Sequence, residues 1–419
     1  MRRIAIVGSG QAGLHLGIGL RAHGYHVTLY SDRTADQWLN HSRPNGTAFT
    51  FDRVVQHERD LGINFWEGAA PYGEGVHLNF LPEVGHILLS MQGRLNKPGY
   101  AIDQRLKFSH WLQEFEKRGG TLVIKSVTRD DLDAIARDHD LVVIAAGKGD
   151  ITHQLFERDA NRSVYDKPQR NLALVTVTGV KPWPEIPFHP IKFTFIAPLG
   201  EFFWVPFFDK SQRTTYSIVF EARPGGEMDR FGNVRSGQEA VDIAKQVIRD
   251  LSPWDYEHAK DMQLTDELAW LTGSFAPTVR KPVGWLSSGT PVMALGDTAI
   301  TYDPIVAQGA NSASKMAHHL LQRIVVHQRR PFDADWMNDV FEEFWVTEAQ
   351  YMCGFTNALL EPITPAATTV LTAGAKTPAI ADTFYSNFDN PRDYWPWLID
   401  LEAAKKWVAA MAGVKTTMI

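Results

Sequence analysis

The first thirty residues contain the pattern that most constrains the fold. A short β-branched run, Ile4–Val7, leads into a glycine-rich turn, a helix with small residues on one face, and a second strand. The turn has the spacing G-x-G-x-x-G, in which the glycines permit a tight turn, a close approach to a pyrophosphate and close helix–strand packing. The helix N-terminus offers free N–H groups and a positive dipole end to phosphates. This unit predicts dinucleotide binding, with these cofactor-binding residues: Gly8, Gly10, Gln11, Ala12 and Gly13.

The end of the second strand departs from the usual dinucleotide-binding pattern. An acidic residue for the ribose hydroxyls is expected there, but the chain reads Tyr30-Ser31-Asp32-Arg33. Ser31 can hydrogen-bond a ribose hydroxyl, and Asp32 comes one residue late. Arg33 is compatible with a 2′-phosphate and hence NADP, with an adenine or phosphate contact, or with a solvated turn. Ser31, Asp32 and Arg33 are therefore predicted to bind the cofactor.

A second glycine-rich stretch, GDTAITYDPIVAQGAN, occurs far from the first. A nucleotide loop at the start of the chain and a distant strand ending in Gly-Asp fit one extended ligand, and FAD has that length. Asp297 is predicted to accept hydrogen bonds from the ribityl chain, and the following helix to direct its N-terminal amides at the flavin N1–C2=O edge, where its dipole favours the anionic reduced ring. The alternative is an ordinary helix cap with a surface carboxylate. The predicted FAD-binding residues are Gly296, Asp297, Pro304, Gly309, Ala310 and Asn311.

The remaining pattern predicts an α/β protein with three parts. From residue 171 the chain changes to alternating, aromatic-rich strands separated by turns, which indicates an antiparallel sheet. Residues 331–419 have a mostly helical pattern with several tryptophans. We therefore predict a discontinuous Rossmann-type FAD-binding domain (1–170 and 281–330), an inserted antiparallel substrate domain (171–280) and a helical C-terminal region (331–419).

Composition excludes several other classes of function. The 419 residues carry a net charge of −6 with both signs interspersed, which argues against nucleic-acid binding. One cysteine suits a reducing cytoplasm, and no apolar run has the ~20 residues that span a bilayer. The N-terminus enters a strand without a signal-peptide leader. We expect a cytoplasmic protein with no membrane segment, and the histidine spacing predicts no metal site.

Six segments together resemble a known family. They are IVGSGQAGLHL, VTLYSDR, AIDQRL, FERDANRSVYDKPQR, FAPTVRKPVG and GDTAITYDPIVAQGAN. The chain resembles the two-component styrene and indole monooxygenases of the flavin-dependent hydroxylase superfamily, in which the Tyr-Ser-Asp-Arg strand end is ordinary. Single-component hydroxylases carry an Asp-Gly motif linked to FAD and NAD(P)H, which is missing after Gly147. The resemblance therefore implies that reduced FAD (FADH2) is supplied by a partner NADH:flavin reductase.

The resemblance also implies a reaction and a kind of pocket. Reduced FAD would react with O2 to give a C4a-hydroperoxyflavin, which transfers oxygen to an electron-rich C=C bond of indole or a styrene-like alkene. Such a site needs apolar walls that exclude water. The candidate pocket residues are Thr47, Phe49, Phe193, Phe203 and Val205. Each is also a candidate for the core, because alternate residues of a strand face opposite ways.

Three polar residues are assigned by the same resemblance. Arg43 and Asn45 follow the second strand in a segment that approaches flavin and substrate in this family, so both are candidate catalytic residues. Asn45, before Gly46, is equally a turn residue. Arg105 matches a family position near FAD, with a surface salt bridge as the alternative.

Several questions stay open at this stage. The stretch around Thr47 matches neither the styrene-oxidising nor the indole-oxidising members of the family. The segment ERDLGINFWEG, in contrast, resembles the indole-oxidising members more closely. A larger indole-containing substrate, the enantioselectivity, the reductase and the choice between monomer and homodimer are undetermined. The alternative functions are a single-component NAD(P)H-dependent aromatic hydroxylase, a redox-neutral enzyme using reduced FAD, and a non-catalytic flavin carrier.

Overall fold

A computed structural model describes residues 2–413 of the chain. The strands are β1 (Arg3–Val7), β2 (His26–Ser31), β3 (Phe49–Thr50), β4 (Tyr72–Leu81), β5 (Leu89–Ile102), β6 (Thr121–Ile124), β7 (Leu141–Ile144), β8 (Asn171–Thr178), β9 (Pro190–Ile196), β10 (Gly200–Phe208), β11 (Thr214–Ala222), β12 (Gln263–Leu264), β13 (Trp270–Gly273), β14 (Thr278–Val279), β15 (Val283–Trp285), β16 (Pro291–Ala294) and β17 (Ile300–Thr301).

The helices alternate with strands in the first part of the chain and dominate its end. They are α1 (Gln11–Ala22), α2 (Ala35–His41), α3 (Asp52–Asp60), α4 (Gln104–Lys117), α5 (Arg129–Arg137), α6 (Asp150–Leu155), α7 (Gly237–Leu251), α8 (Tyr256–Ala259), α9 (Gln308–His327), α10 (Ala334–Phe344), α11 (Gln350–Leu360), α12 (Pro365–Gly374), α13 (Pro378–Ser386) and α14 (Leu401–Gly413). Short 3₁₀ turns cover Gly296–Thr298 and Pro304–Val306. None of the described helices is both long enough and apolar enough to span a bilayer.

The first sheet is the predicted Rossmann-type unit. Its strand order is β15-β16-β7-β1-β2-β6, and the strands are parallel except for β15 at the edge. Strand β1 lies between β2 and β7, with Ile4 opposite Val27 on one side and Leu141 on the other. Helices α1, α4 and α9 cover the buried β-branched strands, as expected for a parallel sheet. The α/β fold class is confirmed.

The second sheet is larger than the sequence pattern indicates. Its path is β12-β8-β11-β10-β9-β4-β5-β3, with β13 also paired to β8. The four predicted aromatic-rich strands form its centre. Strands β3, β4 and β5 come from residues 49–102, which the sequence division gives to the FAD-binding part; β4 pairs with β9 and β5 with β10 in parallel, contacts that a sequence pattern cannot reveal. The domain boundaries stay a prediction.

Strand β10 separates two apolar layers. All nine of its residues are buried, so both faces of the sheet are covered. Phe202 and Trp204 face a cluster that includes the apolar side of helix α7, whereas Phe203 and Val205 face a cluster that includes the C-terminal helices. The alternation of a β-strand thus assigns Phe203 and Val205 to the side on which the site lies.

Candidate functional site

A single large cavity runs between the two sheets and the C-terminal helices. Its volume is about 1620 Å³, whereas pockets for one drug-sized ligand measure ~300–1,000 Å³. Glycines and backbone of the first sheet line one end, and apolar side chains of the second sheet line the other. The cavity can therefore hold a dinucleotide and a second, apolar molecule together.

The glycine loop forms the nucleotide end of the cavity. Gly8 has φ +117°, and a Cβ atom there would lie 2.1 Å from the carbonyl oxygen of Ala145. A Cβ atom at Gly13 would lie 2.0 Å from the carbonyl oxygen of Gly8, so both positions require glycine. Gly10, in contrast, lines the cavity and has no neighbouring atom within 4 Å of an added Cβ. Gly10 precedes α1 and, having no side chain, leaves the first N–H groups of that helix uncapped.

The residues at the end of β2 divide into two groups. Asp32 and Arg33 line the cavity and form an ion pair of 3.3 Å, and the Arg33 guanidinium lies 4.6 Å from the centre of the Trp38 ring. Ser31 is fully buried away from the cavity lining, 2.7 Å from the Ser9 hydroxyl, and its Oγ accepts a hydrogen bond from the backbone N–H of Arg33. Ser31 therefore shapes the turn that presents its two neighbours.

The Gly-Asp turn lies beside the glycine loop. Gly296 has φ +62°, and a Cβ atom there would come within 2.9 Å of the Ala12 methyl group, so the turn packs directly on α1. Asp297 lines the cavity, and its carboxylate accepts a hydrogen bond of 2.8 Å from Lys148. The ammonium of Lys148 also lies 4.2 Å from the centre of the Phe275 ring.

The following turn and helix approach the same cavity. Asp303 caps the Pro304–Val306 turn through a hydrogen bond from the Ile305 N–H, and Ala307 has φ +55° before α9 begins. Pro304, Gly309 and Ala310 line the cavity, and nothing lies within 4 Å of a Cβ added at Gly309. Ala307 has no polar side chain, so the N-terminal N–H groups of α9 are uncapped at the cavity wall.

Asn311 has a supporting position outside the cavity lining. Its side-chain amide donates to the carbonyl oxygens of Phe49 and Ala307, and its oxygen accepts from the Phe51 N–H. The bonds with Phe49 and Phe51 join the start of α9 to strand β3 and the residue after it, and the bond to Ala307 lies within the start of α9. Asn311 thereby holds a wall of the cavity in place.

The arrangement fits FAD. Two uncapped helix N-termini, a glycine loop that only glycine can form, and open space at Gly10 and Gly309 are what a pyrophosphate and a flat ring require. Gly8, Gly10, Gln11 and Ala12 are the residues that would hold the pyrophosphate. Asp297 would accept from the ribityl chain, and the start of α9 would face the ring; both roles stay predictions.

The apolar end contains all five predicted pocket residues. Thr47, Phe49, Phe193, Phe203 and Val205 line it, and the Thr47 hydroxyl is 2.7 Å from that of Ser217. Sequence reasoning missed two further contributions, from β4 and from the C-terminal helices. These additional residues include Val76, Leu78, Phe80, Phe384, Tyr385, Phe388 and Leu398. The β4 residues alternate along the strand, which is a signal that the sequence offers. The contribution of the C-terminal residues depends on tertiary packing and has no such signal.

The three polar candidates, Asn45, Arg43 and Arg105, lie in different parts of the structure. Asn45 is exposed and lines the cavity, whereas Arg43 does not line it and stacks over the Trp270 ring at 3.6 Å. Arg105 is fully buried and paired with Asp103 and Asp266 at 2.7 and 3.0 Å. Burial acts to lower the pKa of Arg105, but its hydrogen bonds and ion pairs outweigh burial and raise it. Gly13, Ser31, Arg43, Arg105, Gly296 and Asn311 thus lie outside the lining, and their direct roles stay predictions.

A buried carboxyl cluster, Glu201, Glu221 and Asp303, lies behind the Pro304 turn. Glu201 and Glu221 are directly opposite in the β10–β11 pair, and Arg170 binds Glu201 through two nitrogens at 2.7 and 3.2 Å. Burial, together with the charges of Asp303 and Glu201, raises the pKa of Glu221 well above its ordinary value. Burial also raises the pKa of Asp303, although its interaction with the neighbouring Glu221 opposes the shift.

Three histidines meet between α1, α3 and α9, where His15 is buried and His57 and His318 are half-buried. The His57 and His318 rings are stacked with centroids 3.9 Å apart, and His15 meets both edge-on. Parallel stacked rings leave no room for an ion between them. Among residues 2–413, no group of three His, Cys, Asp or Glu side chains is arranged to hold a metal ion.

Known proteins resemble this chain in sequence and in fold. Residues 147–258 match the family model described as the styrene monooxygenase A putative substrate binding domain. The chain is 28% identical over 412 residues to styrene monooxygenase StyA of Pseudomonas fluorescens, covering 97% of each chain, and 27% identical over 417 residues to StyA of a Pseudomonas sp., covering 98% of each. The structure of flavin-dependent brominase Bmp2 superposes with a TM-score of 0.63 at 14% identity, covering 100% of both chains.

The chain is a flavin-dependent monooxygenase with the fold of the FAD-dependent hydroxylases and halogenases. Within that class, the predicted resemblance to the styrene monooxygenases is confirmed over nearly the full length of the chain.

Proposed function

We propose that this protein is the oxygenase component of a two-component monooxygenase. It would take reduced FAD from a separate NADH:flavin reductase and use O2 to epoxidise indole or a styrene-like aromatic alkene. The observation that carries the proposal is the continuity of the cavity, in which a nucleotide-binding end joins an apolar end without a break. FAD, when bound in its reduced form, supplies the activation of O2.

The chain's own residues bind and orient both molecules. The glycine loop and the N-termini of α1 and α9 would fix the cofactor, with Asp297 accepting from its hydroxyl groups. Phe193, Phe203 and Val205 lie on one face of the second sheet and would hold a flat apolar ring. Asn45 lines the same cavity and is the better placed of the two catalytic candidates to contact a reacting group.

The walls favour a neutral aromatic substrate. Aromatic and aliphatic side chains from β4, β9, β10 and α13 line the apolar end. With a substrate bound, these walls would exclude water and so protect reactive oxygen chemistry from hydrolysis. The volume of about 1620 Å³ is compatible with substrates larger than indole. Indole stays the first substrate to test, because the ERDLGINFWEG segment leans toward the indole branch.

The proposal also covers the partner reductase, the location of the protein and its oligomeric state. The missing Asp-Gly motif after Gly147 supports a protein that takes no electrons from a nicotinamide itself. A cytoplasmic location, and a monomeric or homodimeric state, stay predictions.

Reductase dependence is tested by NADH consumption. The purified chain with FAD, indole and NADH should oxidise NADH no faster than a protein-free control, and adding any NADH:flavin reductase should start the formation of oxygenated indole. Rapid NADH oxidation by the chain alone would favour the single-component hydroxylase. Turnover of a substrate without O2 would favour the redox-neutral alternative.

A further inference from the structure

Arg280 is a buried cation in the cavity wall that the site described above does not use. Its side chain lines the cavity, and the residue is 5% exposed. Within the described part of the chain, its Nη1 atom is buried and donates no hydrogen bond to any acceptor. Burial lowers the pKa of Arg280, opposed by the charge of Asp297, but an arginine remains cationic at neutral pH.

The backbone around Arg280 holds it rigidly. Its N–H donates to the carbonyl oxygen of Ala299 at 2.8 Å, and the preceding strand β14 pairs with β17. Strand β17 connects the Gly296–Thr298 turn to the Pro304–Val306 turn. Arg280 is therefore fixed beside the two turns that face the cofactor.

Among residues 2–413, the Arg280 side chain forms no ion pair with a carboxylate. Asp297 is the acidic group whose charge acts on Arg280, and its carboxylate is already bound by Lys148 at 2.8 Å. A buried charge without a close counter-charge is unfavourable unless a ligand provides one. The cavity that Arg280 lines is the proposed site of an anionic cofactor.

We propose that Arg280 is a cofactor-binding residue whose guanidinium donates to an anionic group of FAD. This inference rests on the proposed FAD site and not on the identity of the substrate. FAD has two anionic groups, the pyrophosphate and, after reduction, the ring. A guanidinium at Arg280 can serve either, because both need a charged donor inside a partly dry cavity.

Substitution by glutamine removes the charge and keeps a polar side chain. R280Q should weaken FAD binding by about 10- to 100-fold, the range for loss of a hydrogen bond between charged groups. The ligand-free variant should be as heat-stable as the unaltered protein or more so, because an unpaired buried charge is removed. R280K should keep part of the affinity.

A matched control is available on the neighbouring segment. Arg158 forms a backbone bridge with Arg280, but its guanidinium binds the carbonyl oxygens of Ser163 and Tyr165 and does not line the cavity. R158Q should therefore leave the dissociation constant for FAD unchanged.

Two measurements identify the group that Arg280 contacts. They are the dissociation constants for FAD, riboflavin and ADP, and the midpoint potential of bound FAD. Loss of affinity for FAD and ADP, with riboflavin binding intact, would establish the pyrophosphate as the partner. If R280Q weakens binding only of reduced FAD and reduced riboflavin, and the midpoint potential of bound FAD becomes more negative, the partner of Arg280 is the reduced ring. Either result supports the proposal, whether or not indole is a substrate.

Two results would overturn it. Unchanged affinity of R280Q for all three ligands, with a higher KM for an anionic indole, would assign Arg280 to the substrate. Unchanged affinity with a less stable ligand-free protein would make Arg280 a structural residue.

Discussion

At the scale of single residues, the glycines of the first loop have different duties. Gly8 and Gly13 are needed for the backbone itself, because an added Cβ would overlap a carbonyl oxygen at 2.1 and 2.0 Å. Gly10 has open space around it and faces the cavity. Substitution at these positions therefore separates folding from cofactor binding.

We expect G10A to fold normally and to lose FAD affinity by about 100-fold, because its methyl group would occupy the space of the pyrophosphate. Gly10 has φ −85°, which alanine accepts. Circular dichroism and FAD titration check this. G232A, at an exposed glycine with nothing within 4 Å, is the control and should match the unaltered protein. Wild-type FAD affinity in G10A would contradict the placement of the pyrophosphate.

The role of Asp297 is open to a similar test. D297N keeps the size of the side chain but weakens its acceptor strength, so FAD binding should fall by about 10-fold. Asp261, an exposed aspartate paired with Lys181 at 3.0 Å outside the cavity lining, provides the matched D261N control. Equal affinity of D297N and D261N in FAD titrations would argue against a ribityl contact.

The sequence can locate residues whose position is set by a short local motif. The glycine loop and Asp297 lie within short motifs, so their positions in the cavity follow from spacing. Arg105 and Asn311 differ, because their partners, Asp266 and Phe49, are distant in sequence. Arg280 lies within FAPTVRKPVG, one of the six family segments, but its proposed role is visible only in the folded chain, where its Nη1 has no acceptor among residues 2–413.

At the scale of elements, strand β11 connects the substrate wall to the cofactor turn. Val219 lines the cavity, and Glu221, further along the same strand, lies against Asp303. Asp303 caps the Pro304–Val306 turn. The protonation of this pair therefore affects an element that contacts the proposed ring site.

The Glu221–Asp303 pair should make the stability of the folded protein depend on pH. Because burial raises the pKa of Glu221 above the ordinary 4.5, folding favours the protonated form. Its contribution is complete below about pH 4.5 and is lost as the pH rises through the folded-state pKa, by ~1.4 kcal/mol per pKa unit. Thermal unfolding should thus show a lower Tm at about pH 9 than at about pH 6.

Substitution isolates this contribution. E221Q mimics the protonated carboxyl and should flatten the alkaline decline of Tm. E227Q, at a nearby exposed glutamate, should leave the decline as it is. An identical pH profile for E221Q and the unaltered protein would mean that Glu221 titrates at its ordinary pKa.

At the scale of the whole molecule, the site exists only where two sheets and the C-terminal helices meet. The parallel sheet and the central antiparallel strands could be predicted, because their periodicity lies within short segments. The sequence could not show that residues 49–102 contribute strands to the second sheet, because that contribution depends on pairing with β9 and β10. The apolar wall from α13 likewise depends on packing between distant segments.

The central claim is that this one cavity couples reduced FAD and O2 to oxygenation of an aromatic molecule. The most direct measurement reduces FAD anaerobically with the protein, without NADH, and adds oxygenated buffer with and without indole. Oxygenated indole and H2O2 are then measured for each FAD reoxidised. We expect oxygenated indole to replace most of the H2O2 when indole is present. Bound FAD that yields only H2O2, with indole unchanged, would contradict it.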